Sequence, residues 1–244
     1  MKLSASKSQN PAGRVLVFIP SFNDSVALPG LVSEIGRLGR RFQALVIDDG
    51  SSQSVLSDVL AKQCLHVKLS SNFGLGVCTH IAFHHALTHG YFAVVRIDAD
   101  GQHQVADIGH LVDALDNGDS DLVAGVRVNQ GQNHGGISRR IVKIYFNGFA
   151  RWITKGGAPQ DVNTGFFAAN SAAVAKLDRT TMERFPEPEL FISGCDAGLR
   201  VGSVEIEQQD RTEGRSTIHV IGALKMFFRF NVFVFGLLMR KLLP

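Results

Sequence analysis

Val94-Val95-Arg96-Ile97-Asp98-Ala99-Asp100-Gly101-Gln102-His103 is a run of β-formers that ends in two acids, a glycine and two polar residues. The run begins at Tyr91 and is apolar enough for a buried strand that delivers charge to the edge of a sheet. In open α/β sheets ligands bind at the carboxyl ends of the strands, so these acids predict a site. Asp98 and Asp100 are two apart and point the same way on extended chain, and Gln102 extends the row. Such a row suits a hard divalent cation, Mg²⁺ or Mn²⁺, held by one or two carboxylates with phosphate oxygens and water completing the shell. Asp-Gly is also ordinary turn chemistry, and spacing alone leaves both readings open.

The same pattern recurs upstream. Arg14 to Ile19 is a short apolar run that stops at Pro20, and Pro20-Ser21-Phe22-Asn23-Asp24 turns the chain into a helical pattern from Leu28 to Leu38. No glycine lies between Gly13 and Gly30, so the turn after this strand is not a dinucleotide fingerprint. Phe42 to Ile47 is a second strand and ends in Asp48-Asp49-Gly50-Ser51-Ser52, acids again at a carboxyl end. A helix is expected from Val55 to Lys62, a strand at His66 to Leu69, and a helix from Gly76 to His89. The Gly74-Leu75-Gly76 opening of that helix reads equally as a phosphate cradle or a tight turn. Its His80, His84, His85 and His89 lack the Glu of an H-E-x-x-H site and read as structural histidines.

Downstream, Val105 to Leu115 predicts a helix and Asp121 to Gly125 a strand. Gln130 to Gly136 reads as a mobile loop and Ile141 to Ile153 as a helix. Gly156-Gly157-Ala158-Pro159 breaks the chain before Asp161 to Ala169. Pro188 sits well in the first turn of a helix that follows Phe185-Pro186-Glu187. Val204 to Glu207 alternates as a half-exposed strand, and Asp210 to Ser216 is polar. Strands alternating with helices predict an α/β domain with a mostly parallel central sheet and helices on both faces.

At 244 residues, 45% hydrophobic and 19% charged, the chain is long enough for a real core. Three cysteines without a C-x-x-C pair indicate neither a disulfide framework nor a zinc site, which suits a reducing cytosol. The polar start, Met1 to Lys7, predicts no secretion signal. A net charge of +3 without a basic tract suits anionic small molecules or a lipid surface and argues against nucleic acid.

Together these segments resemble the inverting family 2 glycosyltransferases of the GT-A fold, in the branch similar to dolichol- and polyprenyl-phosphate sugar synthases. Pro20 to Asp24 is similar to the family's P-x-Y/F-N-E segment, with Asp24 in place of Glu. Asp48 to Ser51 matches its D-D-G-S turn, Asp98 to His103 its D-x-D metal motif, and Arg211 to Ser216 its R-x-x-G-x-S segment. The resemblance implies that Pro20, Phe22, Asp24 and Asp48 hold the base and ribose of a nucleotide-sugar. It further implies that Asp100 and Gln102 bind the metal, that Asp98 and Ala99 lie along the donor with Asp98 also a candidate ligand, and that Arg127, Arg211 and Ser216 serve the donor's diphosphate. Two departures stand out: Leu75 replaces the Lys of a frequent G-K-G, and Pro186-Glu187-Pro188-Glu189-Leu190 replaces the E-D pair that supplies a base in many polysaccharide-forming members.

A departing nucleoside diphosphate builds negative charge that a metal and arginines stabilise. A sugar hydroxyl acceptor needs a carboxylate base, whereas a lipid phosphate is already anionic. Transfer to polyprenyl phosphate is therefore the first expectation, with a hydroxyl acceptor in a surface glycan, using Glu189 or Glu187 as base, as the alternative. An inactive nucleotide-sugar binding module is the third.

The expected organisation is a flexible lead over 1–13, a catalytic domain over 14–216 and an apolar helical tail over 217–244. As a helix, Val220 to Leu243 would be about 36 Å long. It carries Gly222, Lys225, Arg229, Gly236 and Arg240 on one stripe, which suits a helix in the membrane interface. A helix capping the domain, its cations reaching solvent, is the competing reading. The expected location is the cytoplasmic face of the cell membrane, peripheral or with a short C-terminal anchor.

Overall fold

The computed structural model describes residues 13–24, 26–53, 55, 57, 60–127, 137–180, 186–206 and 220–242. In chain order the elements are β1 (Val15–Ser21), α1 (Leu28–Arg37), β2 (Phe42–Asp48), β3 (Leu65–Lys68), α2 (Leu75–Thr88), β4 (Ala93–Arg96) and α3 (Asp107–Asp116). There follow β5 (Leu122–Arg127), α4 (Ile137–Ile153), β6 (Phe167–Asn170), α5 (Ser171–Leu177), α6 (Glu187–Asp196), β7 (Val201–Ile206) and α7 (Val220–Leu242). Among the described residues the strands form one sheet in the order β3-β2-β1-β4-β6-β5-β7.

The central strands are apolar on both faces because both faces are covered, and their side chains alternate between two cores. Val15, Val17 and Ile19 of β1 pack with Val46, Val95, Leu31 and Ile108 on the side of α1 and α3. Leu16 and Phe18 pack with Leu45, Val94, Phe83, Phe167 and Phe191 on the side of α2 and α6. The three cysteines are free, and burial pushes the Cys78 thiol up to about 12 and the Cys195 thiol to about 11, so neither is a ready nucleophile.

The sheet is mixed: mostly parallel, as expected, with β6 as its antiparallel strand. β1 pairs in parallel with β2 and β4, as does β5 with β7, but β6 runs antiparallel to both β4 and β5. Its Phe167-Ala168-Ala169 lacks the β-branched residues that mark strands and is fixed by pairing Ala168 with Val95 and with Val123. Of the helix expected from Val55 to Lys62, the described residues show a 3₁₀ turn at Leu60–Lys62, and α5, capped by the Asn170 side chain on the Ala173 N–H at 2.8 Å, was unmarked by periodicity.

The C-terminal expectation also changes. No helix among the described residues is long and apolar enough to cross a membrane, so the short anchor is not supported. α7 carries Arg229, Asn231 and Arg240 among its apolar residues and docks on the domain. Phe230, Val234 and Leu237 are buried against Phe146, Ala150 and Phe191. Phe230 meets Phe146 edge-on at 4.5 Å, the Tyr145 hydroxyl donates to Asn231 Oδ1 at 2.8 Å, and Arg240 pairs with Asp196.

Candidate active site

The parallel register gathers the strand ends. Ser21 lies beside Asp48, Phe18 beside Arg96, and the Ile97 N–H donates to the Phe18 carbonyl at 3.2 Å. Asp48, Asp98 and Asp100 therefore share one edge. Because β6 is antiparallel to both its neighbours, β5 runs parallel to β4, so Arg127 ends on that edge too, exposed. β6 starts at this edge, and Gly165 and Phe166 just before it pack against Asp98 and His103.

The two acids of the β2 turn have different duties. Asp49 is spent on the fold: its Oδ1 and Oδ2 accept the N–H groups of Phe73 and Gly74 at 2.7 and 2.8 Å. Those amides open α2, so the Gly74-Leu75-Gly76 segment is a tied turn, and its first N–H groups face a carboxylate. Gly50, at φ 78°, lies against the Ser71 backbone, where any side chain would clash. Asp48 is buried, accepts the Ser51 N–H at 2.8 Å and lies 3.9 Å from Lys68 Nζ, but its Oδ2 has no hydrogen-bond partner. An unbonded buried carboxylate oxygen is costly, and a ligand hydroxyl or ring N–H would satisfy it.

The Pro20 to Asp24 turn sits over this acid. Pro20 is buried, Phe22 is exposed and Asp24 half-buried. Asn23 takes a left-handed φ of 52°, with its N–H on Ser51 Oγ at 2.8 Å and its Oδ1 accepting the Ser52 N–H at 3.0 Å. The first two β-turns are thereby locked together, with the Phe22 ring left at the surface.

Along the central row, Ala99 is buried while Asp98, Asp100 and Gln102 are half-buried. The Gln102 N–H donates to Asp100 Oδ1 at 3.1 Å across Gly101, which sits at φ 69°. His103 stacks on Phe166 with ring centroids 4.7 Å apart, and its Nδ1 is buried without a partner. Burial pushes this imidazole below its usual pKa, against the pull of Asp98 and Asp100.

Beneath the row lies a residue that strand patterning gives no role. Arg96 is 2% exposed; its Nε and Nη2 donate to Asp98 Oδ1 at 3.1 and 2.8 Å, and its Nη1 to Glu187 Oε1 at 2.7 Å. Burial alone would lower the guanidinium pKa, but Asp98 and Glu187 outweigh it and leave it raised, so the charge is permanent. A lone arginine in a buried strand demands paired carboxylates, the signal by which the sequence could have disclosed this contact. Glu187 is thus held by Arg96. Glu189, two residues on in the first turn of α6, is buried.

A divalent cation fits the row as a partner of bound phosphate rather than in a cage of protein ligands. Asp100 and Gln102 adjoin at the mouth, and among the described residues no three His, Cys, Asp or Glu side chains gather closely enough to hold an ion alone. One or two carboxylates plus phosphate oxygens is the usual set for Mg²⁺. The α2 histidines likewise gather no metal ligand set: His85 and His89 stack at 4.1 Å and His80 lies 3.3 Å from Asp178 Oδ1. Arg211 and Ser216, and the Gln130 to Gly136 loop, lie outside the described residues.

A family model described as Glycosyl transferase family 2 matches residues 16–178 of the 244. The chain is 32% identical over 181 residues to the polyprenol monophosphomannose synthase of Mycolicibacterium smegmatis, spanning 71% of this chain and 68% of that protein. It is 28% identical over 213 residues to the undecaprenyl-phosphate mannosyltransferase of Micrococcus luteus, spanning 83% and 86%. Glucosyl-3-phosphoglycerate synthase from Mycobacterium tuberculosis, crystallised with Mn²⁺, UDP and glucosyl-3-phosphoglycerate, superposes at a TM-score of 0.62 with 18% identity, over 83% of this chain and 73% of that one. At that identity the likeness speaks for the fold, an α/β GT-A-like arrangement with a mixed central sheet.

Proposed function

The chain belongs to glycosyl transferase family 2 and is a glycosyltransferase, and on that premise we propose that it moves a sugar, with inversion, from a UDP- or GDP-sugar to a polyprenyl phosphate. The observation that carries the acceptor is the likeness to one protein named a polyprenol monophosphomannose synthase and another named an undecaprenyl-phosphate mannosyltransferase. The engagement of Glu187 by Arg96 agrees with it, since an acid held in a buried ion pair is poorly placed to take a proton from a hydroxyl.

In this reading Phe22 and Pro20 flank the base, and Asp48, with Asp24, accepts hydrogen bonds from base and ribose. Asp98 and Ala99 lie along the sugar and diphosphate. Asp100 and Gln102 would hold Mg²⁺ or Mn²⁺, with Asp98 in the same row; the bound cation would offset the charge that grows on the leaving diphosphate. Arg127 serves the diphosphate from the end of β5, and the motif gives Arg211 and Ser216 the same role. An oxygen of the lipid phosphate attacks the anomeric carbon from the face opposite the nucleotide. The bond to the diphosphate breaks, its electron pair leaves with the diphosphate, and no proton has to be removed from the acceptor.

The enzyme meets its lipid as a peripheral protein on the cytoplasmic face of the membrane. Phe228, Val232, Phe235 and Met239 recur at i, i+4, i+7 and i+11 on α7 and are exposed, opposite the face that packs on the domain. Arg229 is exposed along one side of this row, while Arg240 on the same side pairs with Asp196. The test is incubation with a panel of UDP- and GDP-sugars, Mn²⁺ and polyprenyl phosphate. Formation of a glycolipid from one donor is expected; donor turnover that leaves the lipid unlabelled would overturn the acceptor assignment.

A further inference from the structure

Arg96 occupies a position where a charge has no reason to be unless it is used. It sits on β4 between Phe18 of β1 and Phe167 of β6 in the register of the sheet, and it is as buried as the phenylalanines. Strand alternation puts its side chain on the same face as Val94 and Asp98, the face that carries α2 and α6. From there one guanidinium reaches both ways. Two of its N–H groups converge on a single oxygen of Asp98, the first acid of the row, and the third nitrogen reaches Glu187, the first residue of α6.

The consequence for geometry is specific. Two charged donors from one immobile group on the same oxygen hold that oxygen in place more firmly than a single hydrogen bond would, and so restrict the turn of the carboxylate about its last torsion. On the other side of Asp98 stands Gly165, so close that a Cβ there would overlap Asp98 Oδ2 and lie 3.0 Å from Arg96 Nη2. Asp98 is therefore clamped between a buried cation below and a bare backbone beside it, while its side chain is still 34% exposed at the mouth of the site. The other arm of the clamp ends on the helix that carries Glu189.

We propose that Arg96 is a positioning residue for glycosyl transfer, holding the Asp98 carboxylate in its working orientation, with Glu187 as the anchor that fixes the guanidinium from α6. The proposal rests on the reading of this row as the donor and metal site. It makes Glu187 a support for donor geometry rather than a base.

The experiment compares Glu187→Gln, Glu187→Leu and the double variant Arg96→Met/Glu187→Leu, which removes both charges and so leaves no buried ion unpaired. Three measurements are made on each: the thermal midpoint, nucleotide binding by calorimetry with and without Mn²⁺ (UDP or GDP, whichever the wild type binds), and kcat and KM for transfer. The double variant is expected to fold and to bind metal-free nucleotide within about threefold of wild type. Its Mn²⁺-dependent gain in nucleotide affinity should shrink at least fivefold, and its kcat should fall by about 30-fold or more with donor KM little changed. Glu187→Gln, which keeps an acceptor for Arg96 Nη1, should recover most of the kcat that Glu187→Leu loses. A folded double variant with wild-type kcat and wild-type Mn²⁺ response overturns the proposal. So does a parallel loss of melting midpoint, metal-free nucleotide binding and kcat, which is the pattern of a merely structural ion pair. Wild-type protein that forms no glycolipid sinks the acceptor reading instead and leaves the calorimetric comparison to decide the role of Arg96.

Discussion

Gly165→Ala puts the geometry of the Asp98 row under the smallest perturbation available, one methyl group. The new Cβ would lie 3.1 Å from Asp98 Cγ and 3.0 Å from Arg96 Nη2, and nearer still to Asp98 Oδ2. Carbon atoms in contact prefer about 3.5–4.0 Å, so the carboxylate has to retreat by roughly half an ångström or more. Arg96 cannot follow, because it is buried and tied to Glu187 at 2.7 Å. Gly165 is not among the glycines with positive φ, so the clash, not backbone strain, is what the substitution adds. Overpacking of this kind costs about 1–3 kcal/mol, which at this chain length lowers the melting midpoint by about 2–12 °C. A misplacement approaching 1 Å costs on the order of a hundredfold in rate, so a fall in kcat of about 30- to 100-fold is expected at saturating donor and Mn²⁺. Steady-state transfer assays paired with thermal melts measure both. A variant that melts within this range but turns over at the wild-type rate would refute the reasoning that the orientation of Asp98 matters.

Three further outcomes follow from the structure. Asp48→Ala should weaken UDP or GDP binding about ten- to hundredfold, the worth of charge-assisted hydrogen bonds at about 1.5–3 kcal/mol, and calorimetry showing unchanged affinity for both nucleotides would remove Asp48 from the site. Asp121 is held well below the usual carboxylate range by hydrogen bonds from the Arg200 side chain and N–H and from Asn170. Its folded pKa is depressed, so its contribution is fully present above the unfolded value of about 3.9 and lost as pH falls; Asp121→Asn should melt lower than wild type at pH 7, with a gap that closes below about pH 4, and a pH-independent gap would contradict this. Phe228→Ser/Phe235→Ser alters only exposed positions on α7 and should reduce flotation with anionic vesicles severalfold while the melting midpoint stays within a few degrees; equal flotation would place the membrane contact elsewhere.

Much of the architecture was legible because burial leaves a direct imprint on composition. β1, β2 and β4 are continuous apolar runs because both their faces are covered, and the acids after them mark the carboxyl edge. β6 was not legible, since Phe167-Ala168-Ala169 has weak intrinsic preference and becomes a strand only through its two neighbours. Of the helix expected from Val55 to Lys62, the described residues show a 3₁₀ turn at Leu60–Lys62, with Val55 and Leu60 buried against the core. At the site, the motif residues were visible but their division of labour was not. The motif marked Asp48 for the nucleotide and gave Asp49 no duty; the amides of Phe73 and Gly74 show Asp49 tied to the opening of α2. Arg96 was read as one more residue of a β-run because its partners, Asp98 and Glu187, come together through the tertiary fold. α7 reads as a greasy tail until Phe146 and Tyr145 are placed beside Phe230 and Asn231.

The most direct measurement is a competition in one mixed-micelle reaction containing the productive nucleotide-sugar, Mn²⁺, and equal amounts of polyprenyl phosphate and the unphosphorylated polyprenol, with the product read by mass spectrometry. The account predicts a sugar joined to the lipid through a phosphate, with inverted anomeric configuration and no sugar on the free alcohol. Sugar transferred to the polyprenol, with the polyprenyl phosphate left untouched, would contradict it.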